Sequence, residues 1–318
     1  MKRLLIGVIL LAVVAGAYFY NELYNKIANN KQSAGTPKLA LSVTTGKNPE
    51  AVLFDKERNQ YFVSLLNFKV QTGGGGVAIL DEKGAIKDLN WVEGLNQPKG
   101  MVISGDKLYV ADLTEFVEID IPTAKITNKY SAEGGIFLND PALGPDGSVY
   151  VTDSLTDSLF RLAPDGTYGL WLKDERLLSP NGAVVLGDYI YVASWGTTVG
   201  TTVKSMLEAK PNGNLVRVKL SDKSITVYDK GPAGNLDGIE PDGKGNFYIS
   251  DWVSGNIFLT TITGKTLAEY DMAKILGVKS TKGLADIEYM EDTKQIWAPM
   301  MINGTVLVFS MKEARGSE

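Results

Sequence analysis

From about residue 39 the chain alternates short apolar runs with turns rich in Gly, Asp, Asn and Pro. One phrase carries the pattern. Asn235 to Asp251 reads NLDGIEPDGKGNFYISD: a polar start, a short apolar run, a glycine turn, then a β-rich run ending in Asp. Asp242-Gly243-Lys244-Gly245 predicts a hairpin turn, because such turns need positive φ and glycine adopts it without strain. The phrase recurs as PKGMVISGDKLYVAD from Pro98, NDPALGPDGSVYVTD from Asn139 and PNGAVVLGDYIYVAS from Pro180. Looser copies start at Pro49 and Ala285. Anchored on Glu50, Lys99, Asp140, Asn181, Asp237 and Asp286, the copies are spaced 49, 41, 41, 56 and 49 residues apart. Outer runs such as Phe116–Ile119 and Leu215–Val218 lie between them, and a fourth run such as Ile225–Tyr228 follows. Four strands per unit at this period predict an all-β fold, a six-bladed β-propeller with four antiparallel strands per blade.

Two connections are long. Asn67 to Gly76 contains four consecutive glycines, and Trp195 to Asn214 reads WGTTVGTTVKSMLEAKPNGN. Both follow a second strand, so both are expected to overhang the channel mouth where the first strands begin. Gly73–Gly76 is not a phosphate loop, since no Lys-Ser/Thr and no helical pattern follows it.

The N-terminus breaks the pattern. Leu4 to Tyr20 is a continuous apolar run behind Lys2 and Arg3. As a helix it would span about 25 Å, a little less than a bilayer core of about 30 Å. Tyr18, Phe19 and Tyr20 suit the interface end of a signal anchor. Ala15-Gly16-Ala17 would instead suit a cleavage site. Either way the positive start stays inside and the bulk of the chain is expected outside the cytoplasm, periplasmic or at the cell surface. Residues 1–20 are thus read as a hydrophobic helix, 21–38 as a linker, 39–312 as the propeller and 313–318 as a tail.

Composition narrows the chemistry. The 318 residues carry a net charge of −5 and contain neither His nor Cys. The missing basic stripe argues against nucleic acid. Without His or Cys there is no Ser-His-Asp or Cys-His catalysis, no thiolate or imidazole zinc site and no disulfide. Carboxylates, amides, hydroxyls, Lys and hard metals remain.

The repeat supplies a candidate constellation. Sixfold pseudo-symmetry brings Glu50, Lys99, Asp140, Asn181, Asp237 and Asp286 to one mouth of the channel, with Asn139 beside Asp140. Crowded carboxylates raise one another's pKa, and a bound cation relieves this. An all-oxygen donor set suits Ca2+, with Mg2+ or Mn2+ next. Each residue taken alone is also an ordinary turn former ahead of a strand. Asp112, Asp153 and Asp251, at second-strand ends, are expected to cap the following turns. Trp195 and Trp252 are placed to line the mouth or to pack its loops.

Pro49-Glu50, Leu138-Asn139-Asp140, Ser179-Pro180-Asn181-Gly182 and Leu236-Asp237-Gly238 resemble the regucalcin/gluconolactonase family of six-bladed propellers; squid-type diisopropylfluorophosphatase is similar in site design. The resemblance implies Glu50, Asn139, Asn181 and Asp237 as calcium ligands, with Asp237 also the catalytic base or nucleophile. It further implies hydrolysis of a lactone, ester or phosphoester in a small-molecule substrate. Two positions depart from it. Phe137 stands where sugar-lactone members carry a substrate-binding Arg, which argues against a sugar acid. Lys99 adds a positive charge that would suit an anionic substrate, pair with Asp140, or replace part of a metal's charge. The alternative is a non-catalytic, membrane-tethered propeller resembling NHL-type scaffolds, binding a peptide, glycan or protein partner.

Overall fold

The computed structural model describes residues 36–70, 72–197 and 202–311. Six four-stranded antiparallel sheets form the six blades of a propeller. The expected N-terminal hydrophobic helix, the first part of the linker and the tail lie outside the described residues. Among the described residues no helix is long and apolar enough to cross a membrane.

The inner strands of blades 1 to 5 are Asn48–Asp55, Pro98–Ser104, Leu138–Leu143, Pro180–Leu186 and Leu236–Pro241; that of blade 6 is Glu288–Met290. Blade 6 is completed by the first strand of the chain. Lys38–Thr44 pairs antiparallel with Thr305–Ser310 and forms the outer edge of that sheet. Closure therefore locks the two ends of the described chain together, as Lys38 stands opposite Ser310.

Period-2 alternation explains why the middle of each second strand is mostly apolar. Leu108 and Val110 point into the cluster shared with blade 1. Tyr109 and Ala111, their neighbours in sequence, point into the cluster shared with blade 3. Side chains alternate across a strand, and here both faces are covered, so every position after Lys107 in this strand is buried. Six such clusters fill the six spaces between blades. Each fully buried Val, Leu, Ile or Phe adds roughly 1.5–3 kcal/mol.

The long connections differ from expectation in detail. Gly75 and Gly76 belong to the third strand of blade 1, Gly75–Asp81, not to the loop. A Cβ on Gly75 would overlap Pro98, and one on Gly76 would overlap the Val92 carbonyl oxygen. These glycines let the neighbouring backbone close in. The second connection holds a short helix, Val203–Leu207, opened by a capping box between Thr202 and Ser205. Five helical residues inside a polar, glycine-containing run are too few to show a periodicity in sequence.

Candidate functional site

The rim residues are positioned by a defect that recurs in the sheet. In blades 1 to 5 the inner strand slips its register by one residue at the same place. The slips fall between Pro49 and Val52, Pro98 and Met101, Leu138 and Pro141, Pro180 and Ala183, and Leu236 and Ile239. Glu50, Lys99, Asn139, Asp140, Asn181 and Asp237 all lie within these bulges. A bulge frees backbone groups from the ladder and re-aims side chains, and bulges gather beside functional sites.

Second-strand hydroxyls take up the freed groups. Ser64 Oγ accepts Ala51 N–H at 2.9 Å, Thr152 Oγ1 accepts Asp140 N–H at 2.9 Å, and Ser250 Oγ accepts Gly238 N–H at 2.8 Å. Thr152 then donates to the Asn181 carbonyl at 2.7 Å and Ser250 to the Ala285 carbonyl at 2.8 Å. Each of these two hydroxyls thus ties its bulge to the next blade.

The carboxylates at the second-strand ends hold the approach from the other side. Asp153 and Asp251 cap the turns after them, as expected. They also reach back: Asp153 accepts the N–H groups of Ile136 and Phe137, and Asp251 that of Asn235. Asp112 departs from the turn-cap expectation, because its two oxygens accept Asn96 and Gln97 N–H groups ahead of its own inner strand. Asp153 and Asp251 thereby fix the entrances to Asn139 and Asp237.

One cavity of about 470 Å3 opens at this mouth. Glu50, Lys99, Asn139, Asn181 and Asp237 line it together, with Phe137 and Trp195 on its wall. Both long connections contribute to it, through Phe68 from the first and Trp195, Thr202 and Met206 from the second. Asp140 and Asp286 do not line it. Asp140 Oδ2 instead accepts the Ala183 N–H of the next blade at 2.6 Å. Asp286 carries the closure between blades 6 and 1, where its N–H donates to the Glu50 carbonyl at 2.9 Å. Both carboxyls share an electrostatic neighbourhood with Glu240, whose inner strand also bears Asp237. The Glu288 charge also acts on Glu240 and helps to raise its pKa, after burial. Sequence reasoning missed Glu240 and Glu288. Their signal was a lone acid inside an apolar inner run, GIEP and DIEYM.

The electrostatics of the floor are set by burial. Glu50 is 3% and Asp237 3% exposed. Burial pushes Glu50 up to about 7, against the pull of the Lys99 ammonium. Burial and the Glu50 charge hold Asp237 well above the usual carboxylate range. Lys99 Nζ lies 3.6 Å from Glu50 Oε1 and 4.5 Å from the centre of the Phe137 ring. Of the roles open to Lys99, the ion pair forms with Glu50; the described ion pairs include none between Lys99 and Asp140.

The donor atoms fit a hard cation. Asn139 Nδ2 donates to Ser154 Oγ at 3.1 Å, and Asn181 Nδ2 donates to Asp237 Oδ2 at 3.1 Å. Each amide has thus committed its nitrogen and keeps its oxygen as the ligand atom. Glu50 Oε2 and Asp237 Oδ1 are buried without any hydrogen-bond partner. An unsatisfied buried acceptor costs about 1–3 kcal/mol, and more when charged. Two such atoms on one cavity floor are what a cation would satisfy. The set is two carboxylates and two amides; among the described residues no group of three or more carboxylates is placed to hold a metal.

Glycine after the rim residue is part of the construction. A Cβ on Gly182 would overlap the Asp237 carbonyl oxygen, and one on Gly100 would overlap Asp140 Oδ1. Gly182→Ala must push blade 5 away from blade 4 at Asp237. We expect a loss of about 1–3 kcal/mol in stability, read as a lower melting temperature, with activity falling in parallel. An unchanged melt would show that the inner strands are not in close contact there.

No protein-family model and no characterised protein matches the chain by sequence. Solved structures match it by fold. A gluconolactonase from Xanthomonas campestris superposes with a TM-score of 0.64 at 12% identity, covering 88% of this chain and 96% of its own. A putative gluconolactonase gives 0.57 at 14% identity, covering 87% and 94%. A catalytically inactive histidine-to-alanine variant of virginiamycin B lyase from Staphylococcus aureus, with quinupristin, gives 0.58 at 13% identity, covering 86% and 99%. The protein thus has the six-bladed propeller architecture of gluconolactonase structures. It has no histidine with which to match the residue altered in that lyase variant.

Proposed function

We propose that the protein is a calcium-dependent hydrolase of lactone, ester or phosphoester bonds. The observation that carries this reading is the pair of buried, unpartnered oxygens, Glu50 Oε2 and Asp237 Oδ1, flanked by two asparagines whose nitrogens are already committed. Glu50, Asn139, Asn181 and Asp237 would hold the ion. Calcium bound there would keep both carboxylates ionised and polarise the scissile carbonyl or phosphoryl oxygen. Asp237 is the base or nucleophile. Asn181 holds its Oδ2, and Oδ1, which has no protein partner, would meet the ion. Lys99 neutralises one side of Glu50 and keeps that side chain against the floor. Residues 4–20 are read as a membrane anchor, which places the propeller outside the cytoplasm.

A melt of the protein in EDTA, then in Ca2+, Mg2+ or Mn2+, tests the metal. A specific ligand at 100 times its dissociation constant adds about 2.7 kcal/mol. We expect the largest shift with Ca2+ and its loss in Glu50→Gln. No shift with any of the three ions would remove the metal from the reading.

A second reading, a tethered propeller that binds a peptide, glycan or protein partner without turnover, is favoured by one observation. The mouth presents exposed apolar side chains, with Phe68 40% and Ile136 53% accessible. Recovery of a partner at the mouth, with no hydrolysis across lactones, esters and phosphotriesters, would decide for it.

A further inference from the structure

We infer that the cavity is built for a hydrophobic acyl or alkyl substrate, a lactone or ester with a medium-length chain, and not for a polyhydroxylated one. This rests on the hydrolase reading for the reaction but not for the binding. The charged and amide groups Glu50, Lys99, Asn139, Asn181 and Asp237 converge on the floor, while the lining as a whole is mostly apolar, with Gln97, Ser154, Ser179 and Thr202 as its other polar residues. The apolar part of the lining comes from several parts of the fold. Leu66 leaves blade 1, Phe137 and Leu155 flank blade 3, Met206 comes from the mouth helix, and Met301 from the turn of blade 6.

The wall is a fixed surface. Leu66, Trp252, Ala285 and Met301 form a buried cluster, and Trp195, Met206 and Leu207 pack against it. The Trp195 and Trp252 ring centres are 5.7 Å apart. A sugar would bring hydroxyls against the apolar side chains that make up most of this lining, and each hydroxyl left unmatched there would lose its water. An alkyl chain would displace water from the wall at no such cost. The volume, about 470 Å3, lies within the range of small-molecule pockets, roughly 300–1,000 Å3. The apolar surface continues onto the open rim at Phe68 and Ile136, so a chain longer than the cavity still meets apolar side chains as it leaves.

Phe137 is the residue that sets this preference. It stands at the junction of wall and floor, beneath the Lys99 ammonium, and Asp153 holds its backbone N–H at 3.1 Å. The ring covers the aliphatic part of the floor and keeps the cation turned toward Glu50. A lactone would place its carbonyl at the floor oxygens' cation and its side chain along Phe137 and Trp195.

The test is equilibrium binding to the purified full chain in calcium. γ-Butyrolactone, γ-hexalactone, γ-octalactone, γ-decalactone and gluconolactone are titrated by calorimetry, with turnover of each followed separately. Each added methylene is expected to tighten binding about fourfold, the equivalent of about 0.8 kcal/mol. Gluconolactone should bind more weakly than γ-octalactone. Phe137→Arg should weaken γ-decalactone by about tenfold or more. Met206→Gln, on the helix surface, gives the same comparison should Phe137→Arg fail to fold. Affinity independent of chain length would overturn the inference, as would gluconolactone binding as tightly as γ-decalactone. An equally steep series in wild type and both variants would overturn it too, since the wall would then not be the binding surface. A steep, variant-sensitive series without hydrolysis would uphold the hydrophobic site and end the hydrolase reading. Hydrolysis of gluconolactone with a flat series would do the reverse.

Discussion

Asp237→Asn is expected to abolish hydrolysis and, in the same protein, to raise the melting temperature in EDTA. Asp237 is buried at the start of the blade 5 inner strand, and one of its oxygens has no partner. The carboxyl is useful to a cation and a substrate and costly to the empty fold. Asparagine keeps the shape and removes the charge that burial and Glu50 both oppose. Loss of a general base typically lowers the rate about 10²–10⁴-fold, and loss of a nucleophile more. In EDTA the variant should gain on the order of 1–3 kcal/mol, the cost of an unsatisfied buried polar group. The calcium-induced shift should disappear.

The opposed signs make the result diagnostic. A substitution that merely disturbs packing, such as Gly182→Ala, lowers stability and activity together. Only a residue whose native state is strained for function should trade one for the other. A variant that keeps wild-type turnover on every substrate the native protein hydrolyses would end the catalytic assignment. A variant less stable than wild type in EDTA would show that the Asp237 carboxyl is structural.

Much of this was legible in the chain, for a physical reason. The repeated phrase exists because every blade solves the same packing problem, with second strands covered on both faces and an inner strand turned to the channel. Six copies of a hairpin, four of them with Asp-Gly or Gly-Asp turns, therefore appear in sequence as a period. The position of Glu50, Asn181 and Asp237 on one cavity follows from that symmetry alone. What the period read from the sequence could not reveal is the exact register. By the sheet register Asn139, not Asp140, is the counterpart of Asn181: Asp140 takes the place of Gly182, its carboxyl is turned to the Ala183 N–H, and Asn139 lines the cavity. The bulge decides which of two adjacent residues faces the mouth, and a bulge depends on backbone bonds to Thr152 that no local pattern announces. Lys99 was similarly ambiguous. Its reach covered two carboxylates, and only the packing of Phe137 beneath it selects Glu50.

The metal-free protein should lose stability steeply as pH rises from about 4.5 to about 8. Glu50 is pushed up to about 7 and Glu288 to about 8, both chiefly by burial, from an ordinary value of 4.5. Asp140, Asp237, Glu240 and Asp286 are also held well above their usual range, burial again being the first cause. In the unfolded chain all six ionise near pH 4, while in the fold they keep protons to higher pH. Between those limits the native state binds more protons than the unfolded state. The slope of stability with pH is therefore negative. The contribution is complete below the unfolded values and lost as pH passes through the folded ones. The channel admits water to Glu240, Asp286 and Glu288, which are not fully buried, and this reduces the effect of each. A fall in melting temperature on the order of 5–10 °C between pH 5 and pH 8.5 in EDTA is expected. Calcium should remove the part of the slope that belongs to Glu50 and Asp237, because a bound cation lowers their pKa values. It should leave the part that belongs to Glu288, which lies away from the proposed ligands and is instead removed by Glu288→Gln. A melting temperature that stays level or rises across this window in EDTA would mean that the channel carboxyls ionise normally. The cavity floor would then be wetter than its geometry indicates.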